Sequence, residues 1–131
     1  MTTRRSFTLK DIHVYRPYPD EIPYELLELA GAADGHTDVD LMRVAKLDGE
    51  AVGVYQLRVL TPTCYELIAL AVAPDCRHRG LGRWLLGHAI GIAESRGGRE
   101  IRCRAAEARG LFARTGFVAE GDTLVLRLIP E

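Results

Sequence analysis

The stretch from Cys64 to Arg96 constrains the fold more than any other part of the chain. Its first part is an apolar run rich in branched residues, Leu-Ile-Ala-Leu-Ala-Val-Ala at 67–73, which stops at Pro74. A near-continuous apolar run of this length reads as a central strand covered on both faces. A basic, glycine-bearing loop follows, Arg77-His78-Arg79-Gly80-Leu81-Gly82. Leu81, Leu85, Ala89 and Ile92 then recur at helical spacing, and Arg96-Gly97-Gly98 ends the helix. A helix beginning directly after such a loop presents unpaired N–H groups and the positive end of its dipole. Gly80 and Gly82 lack a Cβ, so a pyrophosphate can approach the backbone closely. Arg77, Arg79 and Arg83 add positive charge around the same spot.

Two familiar phosphate loops do not fit. A Walker A loop ends in Gly-Lys-Ser/Thr, which is missing, and the dinucleotide fingerprint needs a glycine where this chain has Leu85. The acyl-CoA loop Arg/Gln-x-x-Gly-x-Gly/Ala does fit, with Arg77, Gly80 and Gly82 in its three places. Together with the preceding strand and Pro74, the segment resembles the GNAT superfamily of acetyl-CoA-dependent N-acetyltransferases. The alternative is a tight glycine turn before an ordinary helix, with solvated arginines.

The remainder of the chain divides readily. Phe7–Val14 alternates loosely as a first strand, and Asp20 can cap a helix through Ala30. Residues 31–40 are small and polar, a loop too short and glycine-rich for a second helix there. Leu41–Leu47 and Ala51–Leu60 read as strands joined at Asp48-Gly49, a strong hairpin signal. Cys64–Ala73 is the next strand; after the central helix come a strand at Glu100–Arg104, a helix at Glu107–Thr115 and a hairpin of Phe117–Ala119 with Thr123–Ile129. The order β-α-β-β-β-α-β-α-β-β is a mixed α/β arrangement. The resemblance implies a GNAT-like fold, a central, mostly antiparallel mixed sheet of about six to seven strands flanked by helices.

The 131 residues suit one domain over 1–131, and 47% hydrophobic content excludes a disordered chain. A net charge of −1 gives no case for nucleic acid or a membrane surface as partner. No apolar run reaches membrane-spanning length. Met-Thr-Thr-Arg-Arg-Ser at the start lacks the apolar core of a signal peptide, and Cys64, Cys76 and Cys103 form no Cys-x-x-Cys pair. The expectation is reduced thiols, a cytoplasmic protein and no metal site.

The resemblance implies how the chemistry is distributed. The pantetheine arm of acetyl-CoA pairs with the backbone of the strand before the loop, here Leu70, Ala71 and Val72. The N–H of Leu70 is placed to polarise the thioester carbonyl. The loop residues Arg77, His78, Arg79, Gly80, Leu81, Gly82 and Arg83 hold the phosphates. Glu66 matches the position at which several members, including histone-type acetyltransferases, carry a glutamate base. Read from the residues alone, Glu66 sits among Tyr65, Leu67, Ile68 and Leu70, so partial burial is expected to raise its pKa toward neutrality. The competing expectation places it in water or against an arginine.

Many members carry Asn-x-x-Ala-x-x-Leu-Tyr before a Gly-Phe. Here the corresponding residues are Ala105, Ala108, Leu111 and Phe112, followed by Gly116-Phe117. Phe112 replaces the usual acidic tyrosine and can only pack beside the thioester, which leaves Cys103, Tyr65 or water as the proton donor. This departure leaves two readings, an N-acetyltransferase acting on a small-molecule or protein amine, and a non-catalytic acyl-CoA-binding regulatory or interaction domain. Arg102 and Arg104 alternate with Ile101 and Cys103, so they are either solvated or line the V-shaped cleft that the resemblance implies. The run Leu124, Val125, Leu126, Leu128, Ile129 is compatible with a homodimer.

Overall fold

A computed structural model describes residues 6–30, 39–104 and 109–128. The chain runs β1 (His13–Tyr15), α1 (Tyr24–Leu29), β2 (Met42–Leu47), β3 (Glu50–Thr61), β4 (Cys64–Val72), α2 (Leu81–Ser95), β5 (Glu100–Cys103), α3 (Arg109–Thr115), β6 (Val118–Glu120) and β7 (Thr123–Arg127). The strands form one sheet in the order β1-β2-β3-β4-β5-β7-β6, with β4 at its centre. Its neighbours pair antiparallel except for β4 and β5, which are parallel. Parallel neighbours require a crossover, and α2 supplies it. This is the mixed, helix-flanked architecture expected from the sequence.

The β2–β3 turn shows why the hairpin was readable. Asp48 and Gly49 both take positive φ, 51° and 80°, which the tight turn between right-twisted strands demands and which Asp-Gly tolerates. The two ends of the first half differ from expectation. Residues 9–11 form a short 3-10 turn, and β1 covers only His13–Tyr15. The Thr8 N–H donates to the Asp11 carboxylate at 2.9 Å, a local bond that competes with strand pairing. Pro19–Glu21 likewise forms a separate 3-10 turn, and α1 begins only after Pro23. Residues 31–38 of the expected loop, and 107 and 108 of the expected third helix, lie outside the described residues.

Two apolar layers sandwich the sheet. Leu81, Leu85, Leu86, Ala89 and Ala93 of α2 pack on Tyr55, Leu57, Tyr65, Leu67 and Ile101. On the other face Leu26 and Leu27 of α1 cover Met42, Val44, Val54, Ala69 and Ala71. Gly53 lets α2 sit close, since a Cβ there would lie 2.7 Å from Leu85 Cδ1. The C-terminal apolar run serves its own sheet: Leu124 and Val125 are buried, while Leu126 and Leu128 pack against the core. Ile129 lies outside the described residues. None of the described helices is long and apolar enough to cross a membrane.

Beneath α2 the fully buried Tyr55 hydroxyl is hydrogen-bonded to His88 Nδ1 at 2.6 Å. Burial pushes the phenol above its ordinary pKa, so the hydroxyl keeps its proton and can donate it to Nδ1 when the imidazole proton sits on Nε2. Burial, followed by the charge of Arg43, pulls His88 below its usual 6.5. The folded state therefore favours neutral His88, and the unfolded chain binds its proton first as pH falls. The associated stability is complete above 6.5 and is lost as pH drops through the depressed folded value. Between about pH 7 and about pH 5, thermal denaturation of His88→Asn is expected to shift less than that of the wild type. Equal shifts would show that His88 is not the titrating group.

Candidate active site

The site begins with an irregularity in β4. The β3–β4 register runs Leu57↔Leu67 and then Gln56↔Ala69, so Ile68 is an extra residue. Such a bulge bends its strand and interrupts pairing. It also inverts the alternation. Tyr65 and Leu67 face α2 before the bulge, whereas Leu70 and Val72 pack on that side after it, and Ala69 and Ala71 join the α1 layer. On the other side of β4, pairing with β5 stops at Leu67↔Cys103. From residue 68 onward β4 has no further partner on this side among the described residues, which leaves just over half of the central strand with one unpaired edge there.

The ladder identifies which backbone groups occupy that edge. The Ala73 N–H donates to Val52 O at 2.8 Å, so by antiparallel alternation Ala71 also directs its polar groups to β3. Leu70 and Val72 consequently turn theirs toward the cleft. Val72 O is reached by Arg77 Nε at 3.1 Å, which ties the basic loop back to the strand.

Beyond β4, residues 74–76 form one 3-10 turn, and the chain enters α2 with His78 and Gly80 both left-handed at φ 65° and 85°. Gly80 is the residue before the helix, and no side chain caps the N-terminus. The first intrahelical bond is Trp84 N–H to Gly80 O, at 3.0 Å. The N–H groups of Leu81, Gly82 and Arg83 therefore have no helical acceptor, and the first turn carries no acidic side chain. A Cβ on Gly80 would meet nothing within 4 Å, whereas one on Gly82 would only touch Val72 and Leu111. The loop thus keeps an open space in front of unpaired donors. Arg77, His78, Arg79 and Arg83 are exposed around it, with the Arg79 guanidinium 5.5 Å from the Phe7 ring centroid.

Glu66 on β4 stands opposite Arg58 on β3 and Arg102 on β5. Its carboxylate is ion-paired with Arg58, and its side chain is 18% exposed. The side chain thus combines features of both expectations, partial burial and an arginine partner. The partner comes from the far arm of the β3–β4 hairpin. Cys103, opposite Leu67 where the two strands part, is buried; burial and then the Glu66 charge push its thiol up to about 11. Phe112 is also a core residue, 6% exposed, with its ring edge-on to Phe117 at 5.2 Å. Ala105 and Ala108 lie outside the described residues. Among the described residues no group of three or more His, Cys, Asp or Glu could hold a metal ion.

The central strand thus runs on past its parallel partner beside an uncapped, basic helix start, an arrangement that suits an extended ligand with an anionic end. Residues 5–117 match the Acetyltransferase (GNAT) family, and the chain belongs to that family. The fold is similar to N-acetylglutamate synthase from Neisseria gonorrhoeae, solved with coenzyme A and N-acetyl-glutamate (TM-score 0.79, 20% identity). This chain is covered over 97% of its length in that match but spans only 36% of the synthase chain. It is also similar to an IAA acetyltransferase from Bacillus cereus (0.76, 24% identity, 89% of this chain and 99% of that one). A GNAT family acetyltransferase from Elizabethkingia anophelis with acetyl-CoA bound matches at 0.73 and 20% identity, over 90% and 99% of the two chains. No curated protein matches the sequence.

Proposed function

We propose that the chain is an acetyl-CoA-dependent N-acetyltransferase acting on a primary amine. The observation that carries this reading is that β4 continues to Val72 after its pairing with β5 ends at Cys103, beside the uncapped start of α2. Open space at Gly80, unpaired first-turn N–H groups and an unpaired β4 edge suit a pyrophosphate joined to an amide-bearing arm. Acetyl-CoA supplies an activated acyl carbon and a thiol leaving group. The loop from Arg77 to Arg83 binds the phosphates, and the backbones of Leu70 and Val72 hold the arm as an added strand would. The Leu70 N–H stabilises charge that develops on the carbonyl oxygen. Glu66 takes the proton from the attacking amine, directly or through one water, with Arg58 fixing its carboxylate. Phe112 has no proton to give and acts in packing, while the Cys103 thiol is kept protonated at the base of the cleft. A thiol of ordinary pKa, about 8.5, leaves without obligatory protonation.

Reduced Cys64, Cys76 and Cys103 suit action in the cytoplasm as a single domain. A second reading, an acyl-CoA-binding regulatory domain, is favoured by the buried Phe112 and by the arginine partner that Glu66 already has. Calorimetric titration with acetyl-CoA and CoA, followed by thiol release over a panel of primary amines, separates the two. Micromolar binding with transfer supports the enzyme, and binding without transfer to any amine supports the regulatory domain. A folded sample free of CoA that binds neither compound rules out both.

A further inference from the structure

The face of the sheet opposite α2 carries an ordered row of charge that the reaction above does not use up. Arg58, Glu66 and Arg102 are direct neighbours across β3, β4 and β5. Their strand neighbours Leu57, Leu67 and Cys103 face the α2 layer, so the row points away from it. Among the described residues the apolar cover from α1 lies over Ala69 and Ala71 and does not include this row. Three glutamates lie on this part of the sheet, and each has an arginine. Glu66 pairs with Arg58, Glu100 with Arg102 Nε at 2.7 Å, and Glu120 with Arg127 at 2.9 Å. The guanidinium of Arg102 holds the Glu100 carboxyl below its ordinary range, so this pairing is between full charges.

Arg104 exceeds that pattern. It follows Arg102 by two residues, placing it about 6–7 Å further along the strand direction. It lies just past Cys103, the last residue of β5 paired to β4, and is exposed. Among the described residues four arginines thus stand against three glutamates here, with the surplus cation one strand over from the proposed base.

We propose that the acceptor is an amine bearing a nearby carboxylate, of the amino-acid class, with its nitrogen at Glu66 and its carboxylate on Arg104 beside Arg102. The assignment rests on the acetyltransferase reading. A ligand whose charges alternate over a few ångströms matches a face whose charges alternate over the same span. A polyamine or a lysine-rich peptide would bring further positive charge against Arg58, Arg102 and Arg104.

The test measures thiol release from saturating acetyl-CoA over α-amino acids, the same compounds as carboxamides, and the corresponding decarboxylated amines. The acids are expected to exceed both sets by roughly tenfold or more in kcat/KM. Arg104→Gln is expected to raise KM for the acids by about tenfold and shrink the gap to the carboxamides, while Arg104→Lys restores part of it. Transfer to carboxamides and plain amines at rates equal to the acids overturns the acceptor class alone. Transfer to no compound by a protein that binds acetyl-CoA overturns it together with the enzymatic reading.

Discussion

Gly80→Glu is expected to weaken acetyl-CoA binding by roughly a hundredfold or more in a calorimetric titration, without unfolding the protein. Two effects combine. Gly80 has φ 85°, and a Cβ in that conformation costs on the order of 1–2 kcal/mol of backbone strain. That strain is small enough for the fold to survive, because the new Cβ meets no atom of the described residues within 4 Å. The space it enters lies at the start of α2, next to the turn with the unpaired N–H groups. A carboxylate placed there satisfies those donors itself and repels the pyrophosphate they would otherwise hold. Gly80→Ala separates the contributions, since it carries the strain without the charge and is expected to lose far less affinity. Binding of Gly80→Glu at wild-type strength would remove the loop from the cofactor site.

Glu66→Gln is expected to lower kcat by about 10²–10⁴-fold while leaving acetyl-CoA affinity unchanged. The amide keeps the shape and can still face Arg58, but it cannot accept a proton from the amine. Stability should change little. Arg58 is 53% exposed, so the lost ion pair is worth at most about 1 kcal/mol. Rate and stability therefore respond differently, as they would not if Glu66 were only a structural partner of Arg58. Wild-type turnover in this variant would exclude Glu66 as the base.

Much of the site could be read before any coordinates. The loop announces itself through residue types whose reasons are local: glycine where φ is positive, arginine where anions gather, and an apolar period that starts at Leu81. The Asp48-Gly49 turn and the Gly97 end of α2, at φ 90°, belong to the same kind of signal. What escaped depends on distant partners. The run at 67–73 is apolar throughout, so nothing in it marks Ile68 as the residue where alternation inverts. Arg58 reaches Glu66 only because the hairpin folds back in one particular register. The starts of β1 and α1 differ for a local reason: Thr8–Asp11 and Pro19–Glu21 close short turns of their own instead of extending the strand and the helix.

The extra residue at Ile68 also bears on how such a chain can change over generations. Substitutions along β4 alter one side chain at a time, and the strand tolerates them as it would anywhere in a sheet. Loss of a single codon at this point is a different event. It would restore regular pairing and exchange the two faces for every residue on one side of the deletion, driving Ala69 and Ala71 toward α2 and Leu70 and Val72 toward α1. The sandwich hangs on this one position, so point mutation can retune the lineage gradually, but shortening the strand here destroys its packing.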